Sequence, residues 1–291
     1  MMAEIVMNNQ RTRDFASLAK ETQQLALAIG GQAISGTEVH LLNLAKNLRN
    51  SEVVVWATHR LIANEAIGIN WEHLLKEIVD CCLKKFHQES YWHLMRMQNL
   101  MQKQLNLYAQ KGSDQIDDFG FLAFRKLRHF KLTPEDQNNM IWAASFHDLC
   151  RMCYSPSFWN TPGPFTSQQR KQLDFHARNF FYLGEMVNAY PEVIALSVLH
   201  HWPNKGYPGN GVIAKLKPFL NNPKFRYMLN WLVTTDVYCG ATDKRSYRQT
   251  VWGHLKVLKE TLPRELSNIG MGFVPFIHAI WQPNQVVACP I

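Results

Sequence analysis

No stretch of this sequence stays apolar for the roughly 20 residues that a membrane-spanning helix needs, so no helical span is expected. The opening stretch, Met1 to Phe15, is polar and charged, unlike the apolar core of a signal peptide. Only six cysteines are present, and they lack the spacing of a disulfide framework. With no signal peptide in view, the expected setting is a reducing cytoplasm. No internal repeat or low-complexity tract is visible, and Gly30-Gly31 lacks the pattern of a phosphate loop. No dense block of Lys and Arg occurs either, so a duplex-binding face is not expected and nucleic acid is not an expected partner. The net charge of +8 is spread along the chain. It suits a protein that attracts smaller polyanions such as nucleotides, or the surface of an acidic partner.

What is present is apolar, aromatic and helical in period. The 291 residues are enough for one large domain or two ordinary ones, and 46% of them are hydrophobic. Apolar residues recur at three- and four-residue steps. In the N-terminal part, helices are expected over 16–29 and 37–48. Asn70 to Lys111 holds no Pro or Gly and should be one long helix or two joined end to end. Another helix is expected over 117–130. Thr133-Pro134 should start the next helix as N-cap and first residue, carrying Ala143-Ala144-Ser145-Phe146 into His147-Asp148. Thr166 should cap the helix bearing His176. Pro191 should open a helix that ends at His200-His201, and 202–211 is a Gly/Pro loop. Asn222-Pro223 should open a helix through Asp236, with helices over 252–262 and 271–281 closing the chain.

His147, Asp148, His176, His200, His201 and Asp236 all lie on largely hydrophobic segments, where such side chains are costly unless satisfied. Imidazole and carboxylate donors drawn from several helices are what a divalent metal cluster needs, and helical bundles build sites in this way. Consecutive residues on a helix diverge by about 100°. His147 and Asp148 therefore suit two metals, or one held at a helix end. An Asp can bridge two cations with its two oxygens. Glu89 and His93 are four apart and share a helix face. Taken singly, each of these has a blander reading: a lone His in an apolar helix is usually a satisfied core or surface residue, and Glu89 with His93 is a solvated face. The order and helical context of the set favour the metal. Cys150-Arg151-Met152-Cys153 is a C-x-x-C without a second pair nearby, and reads as small buried hydrophobes.

From about Phe86 to Trp281 the chain resembles the HD-GYP domain, a branch of the HD metal-dependent phosphohydrolases. The resemblance rests on Glu89, His93 and Arg96 in an E-x-x-x-H-x-x-R helix, and on His147-Asp148 after an Ala-Ala-hydrophobic run. It continues with His176 ten residues after Thr166, and with His200-His201 followed by Gly206-Tyr207-Pro208. It closes on the run from Asp236-Val237-Tyr238 through Arg245, Tyr247 and Arg248. The resemblance implies an all-α fold, an HD-type helical bundle over 81–291; the residues before it, 1–80, read as an additional N-terminal helical region, regulatory or dimerising, that resembles no known sensor domain. It implies two or three divalent ions, iron or manganese, and hydrolysis of the bacterial second messenger cyclic di-GMP to pGpG or GMP. Carried over by position, the metal ligands would be Glu89, His93, His147, Asp148, His176, His200, His201 and Asp236. Asp148 and Arg151 would act in catalysis. Gly206, Tyr207, Pro208, Arg245, Tyr247 and Arg248 would contact the cyclic dinucleotide.

The chain departs from the family pattern at four places. Arg151 replaces a Lys, and Arg keeps the charge but is a poor proton donor. About twenty residues, 112–131, are inserted between His93 and His147. Trp202 replaces a Glu, with a shorter loop to Gly206. Cys239-Gly240 replaces an Asp-Ala. These departures keep two alternatives open: a degenerate domain that binds a cyclic dinucleotide or docks to a diguanylate cyclase or other signalling partner, and an HD hydrolase acting on another phosphoester. The long helix 70–111 also suits pairing with a second copy, so a homodimer is expected.

Overall fold

The computed structural model describes residues 71–84, 87–111, 130–153, 165–167, 169, 173, 175–201, 208–243, 252–253, 256–262 and 264. The helices expected over 16–29, 37–48, 117–130 and 271–281 lie outside these residues, apart from Phe130. The described part is all-α, 84% helical with no strand. Among the described residues no helix is long and apolar enough to cross a membrane. Two compact units form, Met1–His87 with Arg151–Asn160 and Gln88–Cys150 with Thr161–Ile291.

In the first unit, helix α1 (Trp71–Ile78) runs into a wider π turn, Val79–Leu83. Trp71, Leu75, Val79 and Leu83 recur every four residues and are buried, forming one apolar stripe.

The second unit is a bundle of α2 (Gln88–Lys111), α3 (Pro134–Phe146), α4 (Phe175–Met186), α5 (Pro191–Leu199), α6 (Asn210–Asn221) and α7 (Pro223–Thr242). Helix α3 packs against α2, α5 and α7, while α4 packs on α5 and α2 on α7. Helix α5 is buried all round from Val193 to Leu199, which makes it the central rod. Leu94, Met97, Met101 and Leu105 give α2 a single buried stripe. Gly184 lets α4 approach α5 closely, since a Cβ there would lie 2.6 Å from Ile194 Cγ1.

The ends of these helices are set locally. Thr133 Oγ1 accepts from the Asp136 N–H at 3.1 Å, and the Asp136 carboxylate accepts from the Thr133 N–H at 2.7 Å, a capping box with Pro134 in the first turn. Thr166 and Gln169 exchange the same pair of bonds at 2.9 and 3.2 Å. Asn222 Oδ1 caps α7 by accepting from the N–H groups of Lys224 and Phe225. Helix α6 departs from the expected loop, which closes at Gly209 with φ +109, a conformation that favours glycine. Pro218 lies inside α6, where a proline removes a backbone donor and disguises the helical period. Within the stretch 252–262, Val257–Thr261 forms a π turn.

Candidate metal centre

Helices α3 and α5 both end on histidine, and their last carbonyls are used by the imidazoles. A helix leaves its final four C=O groups without intrahelical partners. The His147 backbone N–H takes Ala143 O at 2.9 Å, and the His147 ring Nδ1 donates to Ala144 O at 3.2 Å. His200 repeats this at the end of α5, donating from Nδ1 to Ser197 O at 2.5 Å. His176, in the first turn of α4, donates from Nδ1 to Leu173 O. Each of these bonds fixes the proton on Nδ1 and leaves Nε2 as the acceptor nitrogen.

The Nε2 atoms converge on Asp148, which is fully buried. Asp148 Oδ1 faces His176 Nε2 at 3.1 Å and His200 Nε2 at 3.7 Å. Its other oxygen, Oδ2, faces His147 Nε2 at 3.6 Å and His93 Nε2 at 3.7 Å. One carboxylate thus divides its oxygens between two sets of imidazoles. Asp236, from α7, completes the second set: its Oδ1 lies 3.0 Å from His93 Nε2 and 3.7 Å from His147 Nε2. His201 completes the first, with its ring centroid 4.0 Å from that of His200 and 5.5 Å from that of His176.

The donor set fits a metal. Two ligand atoms bound to one divalent ion at 2.0–2.2 Å stand about 2.8–3.6 Å apart for octahedral to tetrahedral angles. The separations around Asp148 and Asp236 run from 3.0 to 3.7 Å. His176 Nε2 and His200 Nε2 face each other at 3.2 Å while both Nδ1 atoms donate elsewhere. Two lone pairs at that distance repel, and a cation between them removes the repulsion. Three overlapping groups have ligand atoms within 4.8 Å of one another: His176/His200/His201, His93/His147/Asp236 and His147/Asp148/His200. The negative ends of the α3 and α5 dipoles point at the same place, which favours positive charge there.

The electrostatics agree with ligand protonation states. Burial, together with His201, His147 and His176, holds the His200 imidazole well below its ordinary value despite the opposing pull of Asp148. It is therefore neutral at pH 7 and able to ligate.

Of the expected ligands, His93, His147, Asp148, His176, His200, His201 and Asp236 come together in these groups. Glu89 lies one helical turn before His93, is intermediate in exposure, and belongs to none of the three. Arg151 lies in the short 3₁₀ turn Leu149–Cys153 and is also intermediate in exposure. Pro208 is buried just before α6. Trp202, Gly206, Tyr207, Arg245, Tyr247 and Arg248 lie outside the described residues.

Asp243 is the residue that the sequence reading passed over. Its Oδ2 accepts from His93 Nδ1 at 2.7 Å, and its Oδ1 accepts from Arg96 Nη1. Arg96 Nη2 also donates to Thr242 Oγ1 at 2.8 Å. The available signal was spacing: Asp243 follows Asp236 by seven residues, two turns along the same side of α7.

The register of α2 against α7 is held by a buried polar bridge. Gln104 Oε1 accepts from the Trp231 indole N–H, and Gln104 Nε2 donates to Thr235 Oγ1 at 3.2 Å. Thr235 adjoins Asp236, so this bridge places that carboxylate opposite His93. No protein-family model, curated protein or solved structure matches this chain. The helical bundle and its buried His/Asp groups, which could hold a metal ion, are therefore what characterise it.

Proposed function

We propose that the protein is a metal-dependent phosphodiesterase that hydrolyses cyclic di-GMP to pGpG or GMP, using two or three divalent ions, iron or manganese. The observation that carries this reading is Asp148. Its two oxygens face two separate imidazole sets, each completed by a further ligand, as a carboxylate bridging two cations would. Divalent ions bound there would polarise a phosphoryl oxygen and lower the pKa of a bound water. The chain's own part is to hold the donors. The Nδ1 bonds of His147, His176 and His200 fix the lone pairs inward, and Asp236 stands 3.0 Å from His93 Nε2. Arg245 and Arg248 would grip the phosphate bidentately, and Tyr207 or Tyr247 would stack on guanine. The resemblance to HD-GYP domains in residue order supports the substrate class.

The test is anaerobic purification, loading with iron or manganese, and assay with cyclic di-GMP. The reading predicts about two or more ions per chain and a linear product. A loaded protein that leaves cyclic di-GMP intact sinks the activity. Arg151 and Trp202, which stand where the family carries Lys and Glu, favour a second reading: a degenerate module that binds the nucleotide or a signalling partner. That reading predicts nucleotide or partner binding without turnover. An HD hydrolase of another phosphoester would instead carry metal and cleave a generic phosphodiester.

A further inference from the structure

The outward ring nitrogens of His147, His176 and His200 find backbone carbonyls, and that of His93 finds Asp243. His147 and His200 stand at helix ends, where spare carbonyls exist, and His176 reaches Leu173 O. His93 is different: it lies inside α2, where each carbonyl already accepts from the N–H four residues on. Its outward nitrogen needs a side-chain acceptor, and Asp243 supplies one at 2.7 Å from 150 residues away in sequence.

Asp243 occupies the C-cap of α7, an end where the helix dipole disfavours a carboxylate. Its extended backbone, φ −77 and ψ 143, ends the helix there, and its own N–H is held by Cys239 O at 2.8 Å. Capping does not explain an acid at this position. The donors around it do. One oxygen is taken by His93 Nδ1 and the other by Arg96 Nη1, so the carboxylate is fixed at both oxygens. Thr242, which also receives Arg96, donates its hydroxyl to Tyr238 O at 2.8 Å and anchors the guanidinium to α7.

We propose that Asp243 is a positioning residue: its carboxylate keeps the proton on His93 Nδ1 and so turns the His93 Nε2 lone pair towards Asp236 and Asp148. Arg96 locks that carboxylate in place. The inference rests on the metal-centre part of the function proposed above. A carboxylate behind a ligating imidazole fixes its tautomer and ring plane and strengthens it as a donor. Neutral carbonyls serve the rings of His147, His176 and His200.

Two measurements on the full chain test this. The first uses metal-free, ¹⁵N-histidine-labelled protein and reads the His93 ring nitrogens by NMR. A protonated Nδ1 with a downfield N–H resonance is expected, and Asp243→Ala should remove that resonance while those of His147, His176 and His200 persist. The second measures Mn²⁺ affinity across a double-mutant cycle of Asp243→Ala and His93→Gln. Asp243→Ala alone should weaken binding about 10–100-fold, and it should cost nothing further once His93 is Gln. Asp243→Asn keeps the shape and an acceptor without the charge; it should fall between, and it serves if the alanine variant does not fold. An unprotonated His93 Nδ1 in the wild type, or an equal loss in both His93 backgrounds, overturns the proposal. A wild-type chain that takes up no Mn²⁺ defeats the metal centre instead, and the ring-nitrogen spectrum still decides the role of Asp243.

Discussion

Asp148 and Asp136 are both buried carboxylates, and their surroundings give them opposite kinds of work. Asp148 faces four imidazoles. Its charge is best matched by bound cations. Asp148→Asn removes that charge and one bridging oxygen, so metal content measured by elemental analysis should fall at least tenfold while far-UV circular dichroism stays helical. Asp136 is structural. Burial pushes its carboxyl up, but the hydrogen bond from Lys224, the Thr133 bonds and the Lys224 charge prevail and lower it. Lys224 Nζ approaches Asp136 Oδ1 to 2.7 Å. A carboxyl lowered in the folded state binds fewer protons than in the unfolded chain, where its value is about 3.9. Its contribution is present above that pH and is lost as pH falls through the lower folded value. Asp136→Ala should therefore cost about 1–2 kcal/mol at neutral pH. The gap in urea midpoint between the two proteins should close as the solution is taken below about pH 4; a gap constant down to pH 2 contradicts this.

At the scale of helices, two contacts aim the ligands. Gly184 brings α4 against α5, and so His176 against His200. Gly184→Ala puts a methyl 2.6 Å from Ile194 Cγ1, which cannot be absorbed unless the Ile194 side chain or one of the two helices shifts. About 1–3 kcal/mol of stability should be lost, together with metal affinity, because the 3.2 Å approach of the two Nε2 atoms depends on this spacing. Gln104→Leu strands the Trp231 indole N–H and takes a donor from Thr235, at a cost of about 1–3 kcal/mol seen in denaturant melts. Much of this level was legible in advance. Thr133-Pro134, Pro191 and Asn222-Pro223 carry their own start signals, and the structure begins α3, α5 and α7 at those prolines. Helix α6 was not legible, because its start is Gly-rich and Pro218 interrupts it. The clustered His and Asp residues could be read from the chain because they stand on, or just past the end of, recognisable apolar helices. Asp243 offered only its seven-residue spacing from Asp236, since its partner is 150 residues away and the length of α7 beyond Asp236 is decided by tertiary packing.

For the molecule as a whole, the bundle concentrates costly groups at its centre. Buried imidazoles and carboxylates contribute little to folding on their own, and an ion that binds only the folded state adds stability by mass action. At a hundredfold excess over the dissociation constant the gain is about 2.7 kcal/mol, or about 5–10 °C in the melting midpoint of a domain of this size. Chelator treatment should lower the midpoint by that order, and titrating Mn²⁺ back should restore it in a concentration-dependent way. A midpoint indifferent to metal would show that the centre is not coupled to the fold.

The candidate ligand rings of His147 and His200 also close the ends of α3 and α5, by occupying Ala144 O and Ser197 O. Ligation by these rings would thereby be coupled to fraying. When the last turn of either helix opens, the imidazole leaves with it, and an ion held by that imidazole must release it first. Amide hydrogens in those two final turns should exchange slowly in the loaded protein and quickly in the stripped one, while the middle of α5 exchanges at the same rate in both.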